Sequence, residues 1–297
     1  MILTSLTLSL LSLLLIGLDI GTTNVKAVAF SDAGEVVASA ERTNQTLSPQ
    51  PGWSEQKPEA VFQNVLEVLR EATRRTTSSR PTSRIQAIVF SSAMHGLVAL
   101  DKAGQPLTNF LLWSDLRADS IAKDLRRNSE GLEVYRKTGV PIHAMSPFCK
   151  LIWLQKNQPE IFRRADIFCG IKEFIWRKLT GKFQSDPSIA SATGLLNIWK
   201  NDWYEAALAL AGISPEQLPV LVSPSFVSQL SESLQLSESS LADVPLIIGA
   251  SDGAFANLGS GATEPGQGAV TIGARAALLM VTPEAVLDDQ MRTFCYR

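Results

Sequence analysis

The sequence predicts an α/β fold that opens on an antiparallel meander rather than on a βαβ unit. Three observations carry this. Two apolar, β-rich runs flank the turn "GTT", and a third run follows the turn "SDAG". A long amphipathic segment then leads into a short buried strand. Near residue 244 the alternation of apolar strand and polar loop begins again.

Taken in order, residues 13–20 and 25–30 are the first two strands and "EVVASAER" is the third, which together make a meander. A polar loop containing "SPQPGW" precedes a helix that starts at Pro58, a residue suited to a first helical turn. Val61, Val65, Val68 and Ala72 share one face of this helix, which ends near "RRTTSSRPTSR". "IQAIVFSS" (residues 85–92) is a buried strand whose end delivers "AMHG". The middle of the chain reads as helices over 120–127, 150–155, 159–165, 172–179 and 202–211. Residues 222–241, rich in Ser and Leu, read as a weakly structured surface connection. "VPLIIGASDGAFANLGSGA" restores the strand-then-loop pattern. "GQGAVTIGARAALLMV" reads as two strands around a glycine turn, an echo of the opening hairpin.

Composition narrows the function classes. At 297 residues the chain suits one large domain or two. With 45% apolar and 19% charged residues it can bury a core and is not wholly disordered. A formal net charge of −2 provides no basic field for nucleic acid. Cys149, Cys169 and Cys295 are odd in number and far apart, which fits neither a disulfide framework nor a zinc pattern. They are read as buried thiols of a cytoplasmic protein. His95 and His143 are too few for a histidine metal site. No charge precedes Asp19, and "LTLSLLSLLLI" resembles the apolar region of a signal peptide. It lacks a basic start and a small-residue cleavage site, so residues 1–12 read as an N-terminal extension with no membrane partner expected.

Several stretches could carry chemistry, and each has a plainer reading beside it. In "GLDIGTTNVKA", Gly21 lets an anion approach the backbone, the Thr22 and Thr23 amides can form a nest, and Lys26 adds a point charge. Asp19 repels phosphate directly but suits a magnesium ion held through water. The rival is an ordinary β-turn. Asp252, after the run "LIIG", is placed to act as a general base towards an alcohol attacking a phosphoryl group; the rival is an Asp N-cap. Met94 and Trp113 could wall the C–H face of a sugar while His95, Asp115 and Arg117 read its polar groups. The rival there is a core tryptophan with a surface ion pair.

In combination, "GLDIGTTNVKAVAF", "MHGLVALD", "WSDLRA", "MSPFCKLIWLQKN", "SIASATGLLN" and "IGASDGAFANLGSGA" resemble the FGGY carbohydrate kinases, over nearly all of residues 15–280. The gluconokinase branch is the most similar. The resemblance implies an actin-like (ribonuclease H-like) fold with a sugar- and phosphate-binding domain over 13–243. Residues 244–297 would begin a second, nucleotide-binding domain that is cut short. It implies ATP and Mg2+ as cofactors, gluconate as substrate, and transfer to a terminal hydroxyl. A ketopentose such as xylulose, or an inactive sugar-binding fragment, stay open, as does a homodimer. Residue by residue, it implies Asp252 as catalytic base and Gly21, Thr22, Thr23 and Lys26 as the first phosphate loop. Met94, His95, Trp113, Asp115 and Arg117 would lie around the sugar, and Gly273 would belong to a second phosphate loop. Ala274 and Arg275 depart from the hydroxyl residue usual after that glycine. For a sugar acid, Arg117 or Lys150 is expected to meet the carboxylate.

Overall fold

The computed structural model describes residues 13–238, 240–272 and 276–297. The expected N-terminal extension and Gly273, with Ala274 and Arg275, lie outside the described residues. The centre is a six-stranded sheet of β1 (Leu13–Ile20), β2 (Asn24–Ser31), β3 (Val36–Thr43), β4 (Arg84–Ser92), β5 (Val227–Ser228) and β6 (Leu246–Ser251). Their spatial order is β5-β6-β4-β1-β2-β3. The first three pair antiparallel as the predicted meander, with Asp19 opposite Lys26. β4 and β6 run parallel to β1, so three strands end on one edge, where Ile20 pairs with Ser92 and Ser92 with Ser251.

Strand periodicity decides which face is buried. Leu14, Ile16, Leu18 and Ile20 of β1 all point into the core, and Asp19 points away from it. The long helix α1 (Pro58–Ser79) begins at the expected proline and lays Val61, Val65, Val68, Leu69 and Ala72 against β2 and β3. Each large aliphatic side chain so buried contributes roughly 1.5–3 kcal/mol. The second core forms around α3 (Pro147–Asn157), which follows a helix not foreseen, α2 (Ser129–Thr138). That helix buries only Gly131, Val134, Tyr135 and Thr138, so its apolar stripe is too thin to register as a period; the Asn128 cap and left-handed Gly139 define its ends. In α4 (Ile171–Thr180), Trp176 is fully buried and meets Phe90 of β4 edge-on at 5.4 Å. The short α5 (Pro187–Ser191) and α6 (Asp252–Gly259) complete the surroundings of the site.

Two expectations need correction. The helix expected over 202–211 starts at Glu205, because Asp202–Trp203 is held as a strand against Leu196–Asn197. The weakly structured connection over 222–241 contributes β5, whose antiparallel pairing with β6 gives it order that its composition does not. Just after the boundary expected between residues 243 and 244, β6 joins the main sheet, between β4 and β5. Beyond α6, β7 (Gly268–Ile272) and β8 (Ala276–Met280) form the expected hairpin as a separate two-stranded sheet. All three cysteines are free, two of them buried and Cys295 half-buried.

Gly249 shapes the edge that matters. The β6–β4 register shifts between Ile247 and Ala250, and Gly249 sits in that bulge at φ +63°. A Cβ there would stand 2.0 Å from the Phe90 carbonyl oxygen, so only glycine fits. The bulge redirects the last residues of β6 just before Asp252.

Candidate active site

The turn after β1 is closed by the Gly21 N–H donating to the Asn24 carbonyl at 3.0 Å. A Cβ on Gly21 would lie 2.9 Å from that oxygen and 3.5 Å from Asp19 Oδ2, so glycine keeps the space beside the carboxylate clear. The turn is braced from behind. Asn44 Nδ2 donates to the Gly21 carbonyl at 3.0 Å, the Asn44 N–H to that of Thr23 at 2.7 Å, and Gln56 Nε2 to that of Thr22 at 2.6 Å. A trans peptide points its N–H opposite to its C=O, so the Thr22 and Thr23 amides face away from these braces. The Trp113 indole N–H, which can only donate, meets Thr22 Oγ1 at 3.1 Å, and this leaves the Thr22 hydroxyl proton for another acceptor. Ser91 Oγ, from β4, donates to Asp19 Oδ1 at 2.8 Å. Lys26 is exposed beside Asp19 on the neighbouring strand.

Asp252 begins α6, but Ser251 is the cap: its Oγ accepts the Ala254 N–H at 3.3 Å. The capping role that competed for Asp252 is therefore filled by its neighbour. Asp252 Oδ1 accepts the Gly253 N–H at 2.7 Å. The side chain is exposed at the end of the sheet, yet the surrounding protein still strips part of its hydration. That desolvation, with the negative Asp19 adding to it and the Gly253 bond opposing it, holds the carboxyl at about 6 instead of the usual 3.8. Asp19 and Asp252 thus share one edge, on either side of the β4 terminus.

Between them lies the Met94–His95 turn. Met94 packs against the first turn of α6, within 3.3 Å of where a Gly253 Cβ would be. His95 is buried and adopts φ +64°. Its Nδ1 lies 2.7 Å from the Ala192 carbonyl, which can only accept, so Nδ1 carries the proton. Nε2 then accepts from the Tyr296 hydroxyl at 3.0 Å. Burial, reinforced by the nearby Lys150 ammonium, lowers the imidazole to about 4, so it is neutral at pH 7.

With this geometry in place, similarity to known proteins is informative. The N-terminal domain of the FGGY family of carbohydrate kinases matches residues 14–259. The chain belongs to the FGGY family. It is 39% identical over 283 residues to a gluconokinase of Bacillus subtilis strain 168, covering 95% of this chain and 54% of that relative. A xylulose kinase of Escherichia coli K12 is 28% identical over 284 residues, covering 95% of this chain and 57% of the relative. The crystal structure of a gluconate kinase from Lactobacillus acidophilus superposes with a TM-score of 0.91 at 32% identity, covering 96% of this chain and 57% of that one. The chain therefore spans about half the length of these relatives. The fold is the actin-like (ribonuclease H-like) α/β fold expected from the sequence.

Within this FGGY domain the sugar-side expectations divide. Met94 and His95 follow β4 at the shared sheet edge, whereas Asp115 and Arg117 are buried. Their side chains are 0% and 2% exposed. Asp115 Oδ1 accepts Arg117 Nε at 2.8 Å and its backbone N–H at 3.0 Å, while Oδ2 accepts Arg117 Nη2 at 2.8 Å and the Ser54 N–H at 2.7 Å. Arg117 also pairs with buried Glu55, and its guanidinium lies 3.8 Å over the Trp53 ring. The pair is thus part of a buried cluster and not a surface ion pair. Lys150 is likewise fully buried: Nζ donates to the carbonyls of His95 and Leu112, each at 2.7 Å, and burial lowers it to about 7. Neither cation is placed to meet a sugar carboxylate. Trp113 serves the Thr22 turn through its indole N–H. Asn44, Gln56, Ser91 and Tyr296 were not foreseen, because each acts through a long-range contact that no local spacing encodes.

Proposed function

We propose that the protein transfers the γ-phosphoryl group of ATP to the terminal hydroxyl of gluconate. The observation that carries this reading is the shared edge: the Gly21–Thr23 turn, the Met94–His95 turn and Asp252 follow three adjacent parallel strands. Asp252 accepts the hydroxyl proton as that oxygen attacks. His95, fixed as the Nδ1–H tautomer, offers Nε2 to a sugar hydroxyl that takes the place of Tyr296, and Met94 packs against the carbon skeleton. The Thr22 and Thr23 amides and the Lys26 ammonium hold phosphate oxygens. Asp19 fits a hydrated Mg2+: Ser91 fixes one carboxylate oxygen and Gly21 keeps the space beside the other clear. When bound, that ion would neutralise phosphate charge. The free thiols of Cys149, Cys169 and Cys295 support a cytoplasmic setting.

The choice of gluconate over a ketopentose rests on the higher identity to gluconokinases. Titration calorimetry of the 297-residue chain with gluconate and with xylulose, then with Mg-ATP, tests it. Tighter binding of gluconate is expected. Tighter binding of xylulose would assign a ketopentose kinase, and sugar heat without nucleotide heat would assign a sugar-binding module.

Two further outcomes are expected. His95→Asn, which tolerates the left-handed backbone, removes the ring acceptor and should weaken gluconate binding about tenfold in the same calorimetry. The turnover rate should rise with pH through about 6 and level off above 7, because only ionised Asp252 accepts a proton. A flat profile between pH 5 and 7, read from initial rates at saturating substrate, would remove Asp252 as the titrating base.

A further inference from the structure

A chain of buried polar groups lies behind Asp252 and takes no part in the chemistry proposed above. Lys172 and Asp186 are 1% and 0% exposed and pair at 2.7 Å. An isolated ion pair at that depth gives little net stability unless its remaining donors and acceptors are satisfied. Both partners make further hydrogen bonds here, and these are informative. Lys172 Nζ also donates to the Ala250 carbonyl at 3.2 Å. Asp186 Oδ1 caps α5 by accepting the Ser188 and Ile189 N–H groups at 2.9 and 3.3 Å, and it accepts the Ser188 hydroxyl. Ser188 Oγ in turn accepts the Ser251 N–H at 2.8 Å.

Two consecutive residues of β6 are therefore gripped from α4 and α5, directly after the Gly249 bulge where pairing with β4 loses register. We propose that Lys172, Asp186 and Ser188 are positioning residues that fix the β6–α6 junction and so aim the Asp252 carboxylate into the cleft. The inference rests on reading Asp252 as the base. Ser251 completes the linkage: its N–H is held by Ser188 and its Oγ caps α6, so Asp252 has little freedom at its own Cα. The charged group that acts on Asp252 is Asp19, on β1, and Asp252 in turn acts on the Tyr296 hydroxyl. Behind its strand stand Lys172 and Asp186, with buried Glu173 next to Lys172.

Ser188→Ala tests this without stranding a buried charge. Glu173→Gln is the control, because the Glu173 carboxylate accepts the Gly170 N–H and the Ser185 hydroxyl, not a group of β6. The readouts are the NMR titration of the Asp252 carboxyl and the kinetics with gluconate and Mg-ATP. In Ser188→Ala the Asp252 midpoint should fall towards the ordinary carboxylate range as the side chain swings into water. The kcat should drop about tenfold to a hundredfold with KM unchanged. Glu173→Gln should leave the midpoint in place. An unmoved midpoint in Ser188→Ala, or an equal shift in both variants, would overturn the proposal. Because the titration is read without turnover, it stands apart from the kinase reading: a moved midpoint alongside an active Asp252→Asn variant would retain the grip and remove the base.

Discussion

Asp252→Asn is expected to lower gluconate turnover by about 10²–10⁴-fold while leaving gluconate affinity within a few-fold of the parent chain. The amide has the shape of the carboxylate and still accepts the Gly253 N–H, so the start of α6 keeps its geometry. What disappears is the proton acceptor. The comparison is sharp because Asn serves as a helix cap about as well as Asp. If Asp252 did no more than stabilise the helix start, the variant would turn over normally. Ser251 already fills the cap position. The measurement is steady-state kinetics beside calorimetric affinity. An unchanged kcat would show that proton removal falls to another group or to water.

The sequence was legible where a local rule decided the outcome. Strand alternation placed β1 to β4 almost to the residue, and Pro58 marked the start of α1. The Gly21 turn and Asp252 could be singled out because each follows a short apolar run that must end at a sheet edge. Burial of polar groups was not legible. "WSDLRA" reads as a loop with charges at spacing two, which favours an exposed pair. Only the fold brings "SPQPGWSEQ" over it, so that Ser54, Glu55 and Trp53 enclose Arg117. Lys150 and Lys172 were hidden for the same reason. Each lies on the buried side of its helix, and its partners come from 38 to 78 positions away in sequence, apart from Asp186, which is 14 away. A lysine in such a helix looks like a solvent-facing break in the pattern until the carbonyls it reaches are known. Tyr296 reaches His95 across 201 positions, which no window could detect.

Arg117→Ala carries the largest expected effect on stability. The guanidinium is the cation shared by two carboxylates, Asp115 and Glu55, both buried. Removing it leaves like charges facing each other away from water, and breaking such a cluster by deleting one partner costs about 3–5 kcal/mol. The lost stacking over Trp53 adds to this. For a domain of this size the melting temperature should fall by on the order of 10 °C. Arg117→Lys should fall between the two, since an ammonium cannot serve both carboxylates in the plane that the fork uses. These variants also separate support from contact. If Arg117 only holds the loop, gluconate affinity measured well below the melting temperature should follow the folded fraction, and Lys should largely restore it. If Arg117 instead met the sugar carboxylate, Lys would lose affinity at unchanged stability, and xylulose, which has no carboxylate, would bind as before. Calorimetric titration with both sugars, alongside thermal denaturation, decides between these outcomes. The four hydrogen bonds on Asp115 favour the first.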